Sequence, residues 1–110
     1  MGLPAAGSVV VISSPFSDLS NAKRRPAILI ADVGKGDPVL CMVTTNAYSD
    51  LRAIAIDARD IVSGVLRKIS YVRPGKLFTA HESLMSVPIA ELSPATFEKL
   101  RDAVIKIISP

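Results

Sequence analysis

The chain of 110 residues carries 13 Lys and Arg against 10 Asp and Glu, a single His and a single Cys, with 49% hydrophobic residues, 5% aromatic residues and no Trp. That length and composition predict one globular domain spanning 1–110, with a core of Val, Ile, Leu and Ala, and they exclude an intrinsically disordered chain. A net charge of +3 permits an anionic partner without requiring one, and no apolar stretch approaches the ~20 residues of a membrane-spanning helix.

In chain order, the opening MGLPAAGSVVVISS lacks the basic start and long apolar core of a signal peptide, so the cytoplasm is the expected location. Short β-branched runs at Ser8 to Ser13, Pro26 to Ala31, Pro38 to Thr44 and Arg52 to Asp57 predict strands, each bounded by Gly, Pro, Asp, Ser or Asn. Their connections at Gly34 to Pro38 and Thr45 to Asp50 are turn-length, which favours antiparallel neighbours in a small barrel or sandwich. Ala58 to Lys68, with Gly64 and mixed polarity, reads as a loop, and further strands are expected at Ser70 to Thr79 and near Ser86 to Ile89. After this strand-rich part (7–90), a helix is predicted over about 94–108. Ser93 can cap it and Pro94 suits its first turn, where a missing N–H costs nothing. Phe97, Leu100, Val104 and Ile108 recur on one face, widened by Ile105 and Ile107. The fold class expected is mainly β with one C-terminal α-helix.

The chemical inventory is short. One His, one Cys and scattered carboxylates form no recognisable metal site or nucleophile–His pair, and no glycine-rich phosphate loop occurs, so neither cofactor nor metal is expected. Cys41, inside the apolar run PVLCMV, reads as a buried spacer. His81 reads as a structural or surface histidine, with a general-base role as the lesser alternative. What remains is cations and hydroxyls. Lys23, Arg24 and Arg25 stand where a polar loop meets a strand, and Pro26 fixes the junction. The planar guanidinium matches two phosphate oxygens at once and keeps its charge at any working pH. Thr44 and Thr45 end the next strand, so Arg25 and Thr44 face one pocket if the two strands pair. The plainer alternative is a solvated strand start and an ordinary strand end. Phe16 either anchors its loop in the core or stacks a base; Tyr71 reads as core, and Tyr48 as a stacking surface in a polar loop.

Three stretches, PFSDLSNAKRRPAILI, VLCMVTTN and SYVRPGKLFTAHESL, in that order, resemble the PemK/MazF toxins of bacterial toxin–antitoxin modules. The resemblance runs from Gly7 to the terminal helix. It implies a small SH3-like antiparallel β-barrel that pairs as a homodimer. It implies a sequence-specific, metal-independent endoribonuclease that yields a 2′,3′-cyclic phosphate and a 5′-OH. A cognate antitoxin, with which such toxins bind DNA, would inhibit it.

Residue by residue, Arg25 matches the family's arginine before proline, Thr44 its threonine at the end of the next strand, and Arg73 a second arginine that some members use in catalysis. Lys23, Arg24, Thr45, Asn46 and Tyr48 are the RNA-binding candidates around them. The sequence departs from the family at Ser8, where an acidic residue is usual, and at Gly75, where certain members carry an aspartate. Asp18 and Asp57 remain as loop acids without a motif. Two other classes stay open: a noncatalytic SH3-like module binding RNA or protein, and a gyrase-poisoning toxin of the same fold.

Overall fold

Three apolar runs, VVVI, AILI and VLCMV, are near-continuous rather than alternating, the pattern of strands covered on both faces. The computed structural model describes residues 3–14, 23–47 and 49–110, with Ser14 and Lys23 described by their backbone alone. In it these runs form β1 (Ser8–Ser14), β2 (Lys23–Ala31) and β3 (Val39–Thr44), the centre of a curled sheet. The sheet is completed by β4 (Ile54–Ile56), β5 (Ile61–Gly64), β6 (Ser70–Thr79) and β7 (Ala90–Leu92). The strand order is β4-β6-β3-β2-β1-β7-β5, every described pairing is antiparallel, and one helix follows, α1 (Pro94–Ile108).

Both faces of the central strands are buried. On one side Val9, Ile28, Cys41, Val43, Ile56, Val72, Ala90 and Leu92 pack with Leu100 and Val104 of α1. On the other, Val10, Ile12, Ala27, Leu29 and Leu40 are covered by Leu3, Phe78, Ala80 and Met85. The helix begins as expected: Ser93 Oγ accepts the Thr96 N–H at 3.2 Å, and Pro94 follows it. Its apolar stripe is narrower than its periodicity suggests. Leu100 and Val104 are buried and Phe97 partly so, whereas Ile105 and Ile108 are exposed.

Two segments differ from the sequence expectation. Ala58 to Lys68 is not simply a loop: Ala58–Asp60 form a 3₁₀ turn capped by Asp57, and β5 follows and pairs with β7. Gly64, the residue that suggested a loop, ends that strand at φ +82°, where its backbone lies against Ile89 and Ala90. The last strand falls at Ala90–Leu92, not Ser86 to Ile89. Pro88 supplies no N–H there, while Ile89 donates its N–H to Val9 O at 2.8 Å and leads the chain into the sheet. Phe16, Asp18 and the polar loop before Lys23 lie outside the described residues, as does Tyr48.

A side chain at Gly64 would meet the Ile89 carbonyl in a left-handed backbone. Gly64→Ala is therefore expected to lower the unfolding free energy by about 2 kcal/mol or more, measured by denaturant titration. An unchanged midpoint would show that the β5–β7 edge yields freely.

Candidate functional site

Strand alternation decides which candidates meet. Ala27 and Leu29 belong to the second apolar cluster, so Arg25, two residues before Ala27, falls on that same face of β2, opposite Ile12 of β1. Leu40 belongs to it as well, which puts Met42 and Thr44 of β3 on that face. Thr44 stands directly across from Tyr71 of β6, and Arg73 shares the face of Tyr71. Arg25, Thr44, Tyr71 and Arg73 thus occupy one face at one end of three neighbouring strands.

The hydrogen-bond ladder is interrupted on both sides of β3. Between β2 and β3 it ends at the pair Ala27 and Met42, and Pro26 beside it has no N–H with which to extend it. The same register continued by two residues sets Arg25 opposite Thr44, beyond the end of the ladder. Between β3 and β6 the register jumps: β3 moves from Val43 to Cys41 while β6 advances from Val72 to Leu77. Arg73, Pro74, Gly75 and Lys76 thus stand against the single Met42, a bulge that turns the local side chains. Cys41 satisfies the bulge by donating its thiol to the Arg73 carbonyl at 2.9 Å. Burial pushes the Cys41 thiol up to about 12, so it is buried, as the apolar run suggested, and not a nucleophile.

Thr44 Oγ1 accepts the N–H of Asn46 at 3.1 Å, which leaves the hydroxyl proton as the group it can offer a ligand. Thr45 and Asn46 are exposed immediately beyond. Arg25 is half-buried and, among the described residues, makes no ion pair. The pleat separates the cationic run. Arg24 points away from Arg25 and lines a cavity of about 270 Å³ with Val11, Ser13, Ser83 and Ser86. The side chain of Lys23 lies outside the description.

Sequence reasoning missed Asp50. Its Oδ2 accepts Arg73 Nε at 2.9 Å, with the two side chains only 16% and 22% exposed. Its Oδ1 accepts the Arg52 N–H at 2.9 Å. These bonds, that to Arg73 foremost, hold the Asp50 carboxyl below its ordinary value of 3.8. In the sequence Asp50 is an ordinary turn former, and its partner lies 23 residues away. Asp57 and the histidine have local structural duties: Asp57 caps the 3₁₀ turn and pairs with Arg59 at 3.0 Å, while His81 Nδ1 accepts the Ser83 N–H at 3.1 Å and caps a second short turn. Among the described residues, no group of three or more His, Cys, Asp or Glu side chains converges to hold a metal ion, and no helix is long and apolar enough to cross a membrane.

Neither a protein-family model nor a curated protein sequence matches the chain. Solved structures do match its fold. MazF of Deinococcus radiodurans superposes with a TM-score of 0.75 at 18% identity, over 100% of both chains. The MazE–MazF complex of the same organism gives 0.72 at 18% identity, covering 99% of this chain and 98% of that one. An endoribonuclease from a mycobacterial species, solved with its cognate antitoxin, gives 0.70 at 20% identity, covering 98% and 95%. The chain has the MazF fold, with the curled antiparallel sheet and terminal helix that its sequence predicts.

Two outcomes are expected. Cys41 in the native protein should resist alkylation at about pH 8 and react rapidly once denatured; fast native labelling would contradict its burial. Asp50, lowered on folding, contributes stability that is complete above its unfolded value and is lost as pH falls through the lower folded one. The stability difference between wild type and Asp50→Asn should therefore be largest near neutrality and shrink as pH drops below about 4. A difference independent of pH would remove the ion pair as its source.

Proposed function

We propose that the chain is the ribonuclease of a toxin–antitoxin pair, cutting RNA in the cytoplasm as a homodimer and without a metal ion. The observation that supports it most is the convergence of Arg25, Thr44 and Arg73 on one sheet face, where the β2–β3 ladder stops at Pro26. The endoribonuclease and toxin–antitoxin structures that share the fold point the same way.

In this reading the phosphodiester lies across the ends of β2 and β3. The ribose 2′-oxygen bonds to the adjacent phosphorus and the bond from phosphorus to the 5′-oxygen breaks, leaving a 2′,3′-cyclic phosphate and a 5′-OH. The 2′-OH proton passes to solvent and the departing 5′-oxygen takes one up. None of the three side chains is assigned as the base, because a guanidinium does not surrender its proton in water and a threonine hydroxyl is a weaker base still. Arg25 clamps the charge of the pentacoordinate phosphorus, Thr44 donates its hydroxyl to a phosphate oxygen, and Arg73 is the second cation. Thr45, Asn46, Arg24, Lys23 and Tyr48 extend the RNA contact. An acidic segment of the antitoxin, set where the phosphates would lie, inhibits by occupying the same cations.

The test is incubation of the purified protein with a long defined RNA in EDTA, with product ends mapped. Discrete cuts bearing cyclic phosphate are expected. Arg25→Ala should slow them by a factor of about 100 to 1,000, the effect of losing one donor to a developing oxyanion, while remaining folded. Thr44→Val should slow them less. Intact RNA with folded, antitoxin-free wild type would overturn the ribonuclease reading and leave a binding module or a gyrase poison.

A further inference from the structure

We propose that Asp50 is a positioning residue of the phosphate site, one carboxylate that aims the Arg73 guanidinium and fastens the loop after β3 to strand β6. The inference rests on the ribonuclease reading above and names a residue that reading does not use.

Three observations carry it. The two oxygens of Asp50 are divided between the two tasks, Oδ2 to Arg73 Nε at 2.9 Å and Oδ1 to the Arg52 N–H at 2.9 Å. The loop is folded around the same residue: the Asp50 N–H reaches Ala47 O at 2.9 Å, and the Asp50 carbonyl accepts the Ala53 N–H at 3.1 Å. The pair is largely covered, at 16% and 22% exposure. A covered ion pair is a poor choice for stability alone, because apolar residues of equal volume pack as well or better. Here it keeps a cation on the face shared by Arg25 and Thr44. Arg73 directly follows the ladder pair of Val72 with Val43, at the start of the β6 bulge, so the backbone sets its face and the carboxylate fixes its guanidinium. A guanidinium held at Nε has its plane fixed, so its place relative to a bound phosphate is set before RNA arrives.

Charge gives the inference a signature that a merely structural role lacks. Asp50 places a negative charge beside the phosphate, which opposes RNA binding even as it aligns Arg73. Asp50→Asn keeps an oxygen for the Arg52 N–H and removes that charge. The saturating cleavage rate should fall about tenfold or more, as expected when a reacting group is displaced by a fraction of an ångström to an ångström. The RNA concentration at half-saturation should stay level or drop. In an Arg73→Ala background the same substitution should change the rate less than twofold.

The experiment is single-turnover cleavage of the defined RNA by wild type, Asp50→Asn, Arg73→Ala, the double variant and Arg25→Ala. A wild-type saturating rate in Asp50→Asn overturns the inference, and so does an equal loss in the Arg73→Ala background, or a rate that falls only together with weaker RNA binding. If Asp50→Asn does not fold, Asp50→Glu keeps the charge but moves the carboxylate outward by one methylene. Its saturating rate should be several-fold lower, and wild-type speed there overturns the inference equally. RNA left intact by wild type itself overturns the ribonuclease reading and this inference together, whereas cleavage that depends on Arg25 and ignores Asp50 overturns this inference alone.

Discussion

The backbone hydrogen-bond ladder on either side of β3 constrains everything that the site can be. Inside the sheet each peptide group is paired with a neighbour, so the strand directions and side-chain faces are fixed by pairing and no room exists for a ligand between strands. Pro26 ends the pairing with β2 and the Arg73–Lys76 bulge displaces the pairing with β6. Both breaks lie near the end of β3 that carries Thr44. Beyond Met42 the seam between β2 and β3 is open, while β3 stays paired with β6 through Thr44 and Tyr71 and β2 stays paired with β1 through Arg25 and Ile12.

Those breaks are tolerable because the cost of each is met locally. Proline brings no donor to the β2–β3 junction, so none is stranded. At the bulge, where the β3–β6 register jumps, the Arg73 carbonyl receives the Cys41 thiol at 2.9 Å. Pro74, again without a donor, is among the fully buried residues. Two prolines and one cysteine thus reconcile an irregular edge with a core covered on both faces, at positions where a residue with an N–H or a bulkier side chain would leave a polar group unpaired or the strands pushed apart.

Local signals and distant pairings divide what was legible in the sequence from what was not. The strands β1, β2, β3 and β6 and the helix were readable, because apolar runs, turn residues and the Ser93–Pro94 cap are local signals. The pairing of β2 with β3 was readable as a conditional, because a short turn between two apolar runs favours antiparallel neighbours. β5 was not, because Gly64 signals a turn and the strand exists only through its pairing with β7, which is distant in sequence. Asp50 was hidden for the same reason. An Asp in a polar loop has a sufficient local purpose in the Arg52 turn, and only the folded chain brings its second oxygen to Arg73. The helix stripe erred in the opposite sense, since periodicity marks Ile105 and Ile108 as apolar without saying whether the sheet extends beneath them.

The division of the cationic run is the last consequence of the pleat. Three consecutive cations read as one patch, yet a strand sends neighbours to opposite faces, so the side chains of Arg24 and Arg25 leave β2 on opposite sides. Arg25 stands with Thr44 and Arg73, while Arg24 stands over the cavity that Ser83 and Ser86 share with β1. Backbone geometry alone thus divides the charge along β2 between two faces of the sheet, independent of the chemistry at Arg25.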